Sequence, residues 1–152
     1  MPFQLFSSAF PEGGWIPELH SCQGADISPS LEWSAAPVET RSFALLVEDP
    51  DAPTGVWTHW VLYDIGPRIQ ALPQGFRPGS LGLSGVNDFG NPGYGGPCPP
   101  KGHGPHRYFF QLSALNVATV GLVAGAKRAD LLEAMKGHVL ADTQYMGRFE
   151  RK

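Results

Sequence analysis

The sequence predicts a mainly β fold, a sandwich or barrel with one α-helix packed at its edge. Three observations lead there. Glycine and proline number 19 and 15 among 152 residues, roughly a fifth of the chain against about 12% in an average domain. With four Trp, four Tyr and nine Phe there is a core to bury, so the Gly/Pro excess serves turns and rigid loops. Several strand-length segments are rich in β-branched and aromatic residues, and only one segment has helical periodicity.

Taken in order, FQLFS (3–7) and SLEWS (30–34) are short strand candidates. SFALLVED (42–49) is a buried-strand pattern ending in acid, and GVWTHWVLYDI (55–65) and HRYFFQLSAL (106–115) carry the strongest strand composition. Residues 66–105 are mostly Gly, Pro and polar, which predicts a long ordered loop, and a loop of that length in a compact domain is usually functional. In KRADLLEAMKGHVLAD (127–142), Leu131, Leu132, Met135, Val139 and Leu140 fall at helical spacing and predict a helix over about 128–141. YMGRFER (145–151) reads as a closing strand. Without repeats or linkers, residues 1–152 are expected to form one domain.

The formal net charge is −3 with no basic block, which argues against nucleic-acid binding driven by bulk charge. No apolar run approaches the ~20 residues that span a bilayer. MPFQLFSSAF lacks the basic region and apolar core of a secretion signal. Two cysteines, Cys22 and Cys98, are too few for a disulfide scaffold. The expectation is a cytoplasmic protein with reduced thiols.

Three stretches could carry chemistry. In DPDAP (49–53) the prolines hold Asp49 and Ala52 extended, so its carboxylates sit on a rigid strand exit, either as turn caps or as site groups. In WTHW (57–60) alternation puts Trp57, His59, Val61 and Tyr63 on one face, with His59 among large apolar groups. In GPCPPKGHGPHRYFF (96–110) the same alternation sets His106 beside Tyr108 and turns Arg107 away, toward an ion pair with Glu48 or Asp51. The Gly/Pro frame before His106 lets backbone approach a ligand, and free N–H groups there would bind an anion. Neither G-x-x-x-x-G-K-[ST] nor G-x-S-x-G occurs. His59, His103, His106 and Asp49 lack metal-site spacing, and no metal or cofactor is expected. A Cys98–His106 nucleophile pair lacks the helix N-terminus that would activate it.

These stretches, with DISPSLEWS (26–34) and GHVLADTQYMGRFER (137–151), resemble the phosphatidylethanolamine-binding protein family, known also for Raf kinase inhibitor proteins, in its short bacterial and archaeal branch. The resemblance covers nearly the whole chain. It implies a Greek-key β-sandwich with an anion pocket at one end. By motif position the pocket would use Asp49, His59, His106 and Tyr108, with Pro53 and the Gly96–Cys98 backbone as its wall. It also implies a cis Ala52–Pro53 bond. Asp26 departs from the Asn found there in many bacterial relatives.

The function expected is non-enzymatic binding of a phosphate-like or carboxylate anion: phosphate, phosphoethanolamine, another phosphoester or acetate. Asp49 would orient a pocket histidine and favour its protonated form, which then donates to the anion. The rivals are a protein-interaction regulator of the kinase- or protease-inhibitor kind, which would bring a protein partner, and a phosphoester hydrolase. The resemblance also leaves room for a homodimer.

Overall fold

The computed structural model describes residues 2–79 and 81–152. Among the described residues eight strands make two antiparallel sheets. β1 (Gln4–Phe6), β2 (Leu31–Ser34) and β5 (Ala71–Leu72) form the smaller sheet, in the order β1-β2-β5. β3 (Ser42–Asp49), β4 (Trp57–Ile65), β6 (Leu83–Ser84), β7 (His106–Leu115) and β8 (Val139–Phe149) form the larger, in the order β6-β4-β3-β7-β8. The connection from β4 adds β5 to the smaller sheet, returns to the larger as its edge strand β6, and then crosses beyond β3 as β7, a Greek-key crossover. No helix of the described residues is long and apolar enough to cross a membrane.

Buried side chains divide between the two faces of the larger sheet. Leu5, Leu31 and Trp33 of the smaller sheet pack on Phe43, Leu45, Trp60, Leu62, Phe110 and Leu112. On the opposite face Ala44, Leu46, Val61 and Tyr63 meet Leu131 and Met135 of the helix α1 (Arg128–Met135). The central strand β3 is therefore buried along its whole length, as its unbroken apolar run requires.

The helix is shorter than its periodicity predicts. Asp130 accepts a hydrogen bond from the Lys127 N–H at its start. At its end Gly137 takes φ +80°, the left-handed conformation in which glycine stops helices. Val139 and Leu140, expected on the helix, instead begin β8 and are exposed.

A second correction lies in β4. Val47 pairs with Trp60 but Glu48 pairs with Thr58, so His59 is an extra residue, a β-bulge. Beyond it the alternation changes phase. Trp60 and Leu62 enter the core between the sheets, and Val61 and Tyr63 face the helix. His59 therefore does not share a face with Val61 and Tyr63. β7 has no such break before Leu115, and its burial alternates as expected, with His106, Tyr108, Phe110 and Leu112 buried and Arg107 exposed.

The Ala52–Pro53 bond is trans, and no peptide bond of the described residues is cis. The Gly55 N–H bonds to the Ala52 carbonyl at 3.1 Å, which makes Pro53 the second residue of a four-residue turn. A trans proline suits that place, whereas the cis form belongs at the third.

The cysteines are not free. Cys22 and Cys98 form a disulfide with their Cα atoms 5.4 Å apart. The two segments run side by side for independent reasons. The Cys22 N–H bonds to Pro97 O at 3.1 Å and the Tyr94 hydroxyl donates to His20 O at 2.7 Å. The Gly96 N–H bonds to Asp26 Oδ1 at 2.8 Å. Asp26 has φ +59°, a conformation that Asn and Asp tolerate better than other side chains, and the acceptor oxygen it supplies is one that Asn also carries. Replacing both cysteines by serine should lower stability by about 2–4 kcal/mol in urea denaturation; an unchanged midpoint would show that the bridge does not form in solution. Gly96→Ala should cost about 1–3 kcal/mol, because a Cβ there would collide with the His20 carbonyl and the Asp26 carboxylate. Thermal unfolding of that variant checks it.

Candidate functional site

A cavity of about 210 Å³ opens where β3 ends, β4 begins and β7 starts. Its buried polar groups are Asp49, His59, His106 and Tyr108, each at most 3% exposed, with Thr54 at the more exposed side. Pro53, Trp57, Phe89, Cys98, Pro99 and Pro100 supply apolar walls. The structure thus brings together Asp49, His59, His106, Tyr108, Pro53 and Cys98. Gly96 does not line the cavity.

Asp49 does two things at once. Its Oδ1 accepts the Asp51 N–H at 2.7 Å, as a turn cap would. Its Oδ2 lies 2.6 Å from His106 Nδ1. A carboxylate only accepts, so His106 Nδ1 carries the proton of that bond. Asp51, two residues on, receives the Nε and Nη2 donors of Arg107, both at 2.9 Å. That guanidinium holds the Asp51 carboxyl below its usual range. Arg107 is consequently occupied outside the cavity, as alternation predicts, while Glu48 pairs with Arg128.

His59 is fixed by the chain beside it. Its Nδ1 lies 2.7 Å from the Gly95 carbonyl, and its own carbonyl accepts the Gly95 N–H at 2.9 Å. Burial pushes its basicity down, against a smaller opposing pull from the Gly95 carbonyl and Asp49. Tyr108 stands edge-on to it with ring centres 5.2 Å apart. The Tyr108 hydroxyl is buried without a hydrogen-bond partner. Burial first, and the Asp49 carboxylate second, push that phenol well above its usual range, so it remains an O–H donor.

The expected backbone cradle at 96–98 is largely absent. The Gly96 N–H is committed to Asp26 and Pro97 has none, so the close approach of Gly96 serves the outer side of the wall. Sequence reasoning also missed the aromatic wall. Phe89 packs edge-on to both His59 and Trp57, and buried Asn87 holds its backbone through an Oδ1 that accepts the Phe89 N–H. Asn-Asp-Phe-Gly inside a Gly/Pro loop was the available signal. His103, named in the sequence only among groups that lack metal-site spacing, places Nδ1 2.6 Å from His106 Nε2. Among the described residues no group of three or more His, Cys, Asp or Glu is arranged to hold a metal ion.

Residues 6–150 match the family model for phosphatidylethanolamine-binding protein. A UPF0098 protein of Aquifex aeolicus is 47% identical over 97% of this chain and 88% of its own, and one of Methanothermobacter thermautotrophicus is 45% identical over 97% and 98%. Among solved structures, the putative phosphatidylethanolamine-binding protein homologue CT736 of Chlamydia trachomatis superposes with a TM-score of 0.92 at 41% identity, covering 99% of this chain and 98% of its own. Escherichia coli YbcL also gives 0.92, at 34% identity over the full length of both. A carboxypeptidase Y inhibitor, at 18% identity and a TM-score of 0.57, shares the fold. With the match running from β1 to the end of β8, this chain belongs to the phosphatidylethanolamine-binding protein family.

Proposed function

We propose that the cavity between Asp49 and Phe89 binds a small oxyanion, of phosphate or carboxylate type, and does not turn it over. The observation that carries this reading is the Tyr108 hydroxyl, buried at the cavity with no partner in hydrogen-bonding geometry, the Asp49 carboxylate acting on it only from beyond that geometry. A buried unpaired hydroxyl costs about 1–3 kcal/mol, a cost that a ligand oxygen would offset. His59 and His106 stand around the same space. Cys98, the nearest sulfur, is tied to Cys22 and cannot serve as a thiolate toward His106. The walls add a second requirement. Trp57, Phe89 and the prolines favour an oxyanion that carries an apolar or aromatic group over a bare ion.

Tyr108→Phe separates binding from folding. The variant should unfold no earlier than the parent, and later by on the order of 1 kcal/mol, because it removes an unpaired buried polar atom. Its affinity for phenyl phosphate should fall about tenfold or more, the worth of a hydrogen bond to a charged acceptor. Calorimetric titration that finds equal affinities would end the proposal. Phe89→Ala should weaken phenyl phosphate by about 0.5–1.5 kcal/mol and leave inorganic phosphate little changed. Equal losses for both probes would show that the aromatic wall does not meet the organic group.

A further inference from the structure

The hydrogen-bonding atoms at the cavity do not suit a fully deprotonated oxyanion. His106 commits Nδ1–H to the Asp49 carboxylate, so its neutral ring has only a lone pair on Nε2. His59 commits Nδ1–H to the Gly95 carbonyl, so its remaining nitrogen is also a lone pair when the ring is neutral. His103 Nδ1 meets His106 Nε2 at 2.6 Å. With both rings neutral, His103 must donate there, and its own Nε2 becomes a third lone pair. Against these acceptor nitrogens the buried part of the cavity offers one free side-chain donor, the Tyr108 hydroxyl, with Thr54 and Trp57 at its more exposed side. An oxyanion accepts hydrogen bonds, so a site built this way is short of protons.

We infer that the cavity takes up its oxyanion together with a proton, and that the hydrogen-bonded chain Asp49–His106–His103 is where that proton is held. The inference rests on the oxyanion reading above and adds to it the residue that completes the site, His103. Asp49, at the buried end of the chain, is the counter-charge. His103, at the other end, is exposed to solvent and stands on the turn 101–104, with Gly102 and Gly104 at φ +74° and +85°. A proton arriving on His103 is shared across the 2.6 Å contact with His106 Nε2, so the linked pair of rings, not either ring alone, carries the positive charge set against the anion.

The neighbouring groups favour this chain over His59. Asp49 comes from β3, and Asp51 after it is already paired with Arg107. Tyr108 on β7 stays protonated, and on β8 the residue facing His106 is Phe149. Lys101 on the loop is exposed, and Arg151 is spent on the Pro99 carbonyl. His59, from β4, is held neutral by burial.

The test is calorimetric titration with phenyl sulfate, whose anion carries no proton of its own near neutral pH, alongside phenyl phosphate. At pH 7.5, in Tris and in HEPES, the apparent binding heats for phenyl sulfate should differ by the amount for about one proton taken up. Its affinity should fall about tenfold per pH unit between pH 7 and 8.5. His103→Gln, at an exposed position, keeps a hydrogen-bonding side chain that cannot titrate and should reduce both the buffer dependence and the pH slope. Binding with buffer-independent heats and a flat pH profile would overturn the proton uptake. Uptake unchanged in His103→Gln would overturn the assignment to the chain. Failure of both probes to bind from pH 5.5 upward would instead remove the oxyanion reading itself.

Discussion

His59 and Gly95 hold each other twice, and the site depends on that grip. The ring donates to the Gly95 carbonyl while the Gly95 N–H returns a bond to the His59 carbonyl. The bulge at His59 makes this arrangement available, since an extra residue in β4 has no ladder partner across from it. Regular pairing would place His59 opposite Glu48 and turn its side chain to the face opposite Trp60, away from the cavity. The same contact brings the loop to the sheet, sets the tautomer of the ring and closes one side of the cavity.

Charge is kept apart around this grip. The strong ion pair, Asp51 with Arg107, lies in solvent at the outer side of β7, where screening leaves it worth little to stability. What fixes the backbone there is the Arg107 N–H on the same carboxylate. Inside, the carboxylate of Asp49 is buried with bonds to both oxygens, one from the Asp51 N–H and one from His106. A buried carboxylate that spends both oxygens orients its histidine firmly, because a rotation that breaks one bond breaks the other.

The parts of this arrangement legible in the sequence are those that follow a simple period. β7 is legible because nothing interrupts it before Leu115, so alternation places His106 and Tyr108 together and Arg107 away. β4 is misread past His59 because a bulge leaves no mark in composition. The helix is overextended because Val139 and Leu140 continue its spacing by coincidence, while Gly137, whose conformation ends it, was passed over. The pairing of Cys22 with Cys98 spans 76 residues and is set by neither spacing nor count. It follows from the hydrogen bonds at His20, Cys22 and Asp26, which no local pattern shows. Phe89 was hidden for a related reason, since the loop that carries it takes its shape from Asn87.

The seam between residues 20–26 and 94–98 has two kinds of fastening, and they act on different states of the chain. The bonds from Cys22 N–H, Tyr94 O–H and Gly96 N–H exist only in the folded protein and set the geometry of the wall. The disulfide acts mainly by restricting the unfolded chain. With three hydrogen bonds and the paired contact of His59 with Gly95 already fixing the wall, reduction removes stability without removing the reason the segments meet. The cavity is thus set by polar contacts that do not depend on the redox state, and the bridge decides how readily the chain that forms them comes apart.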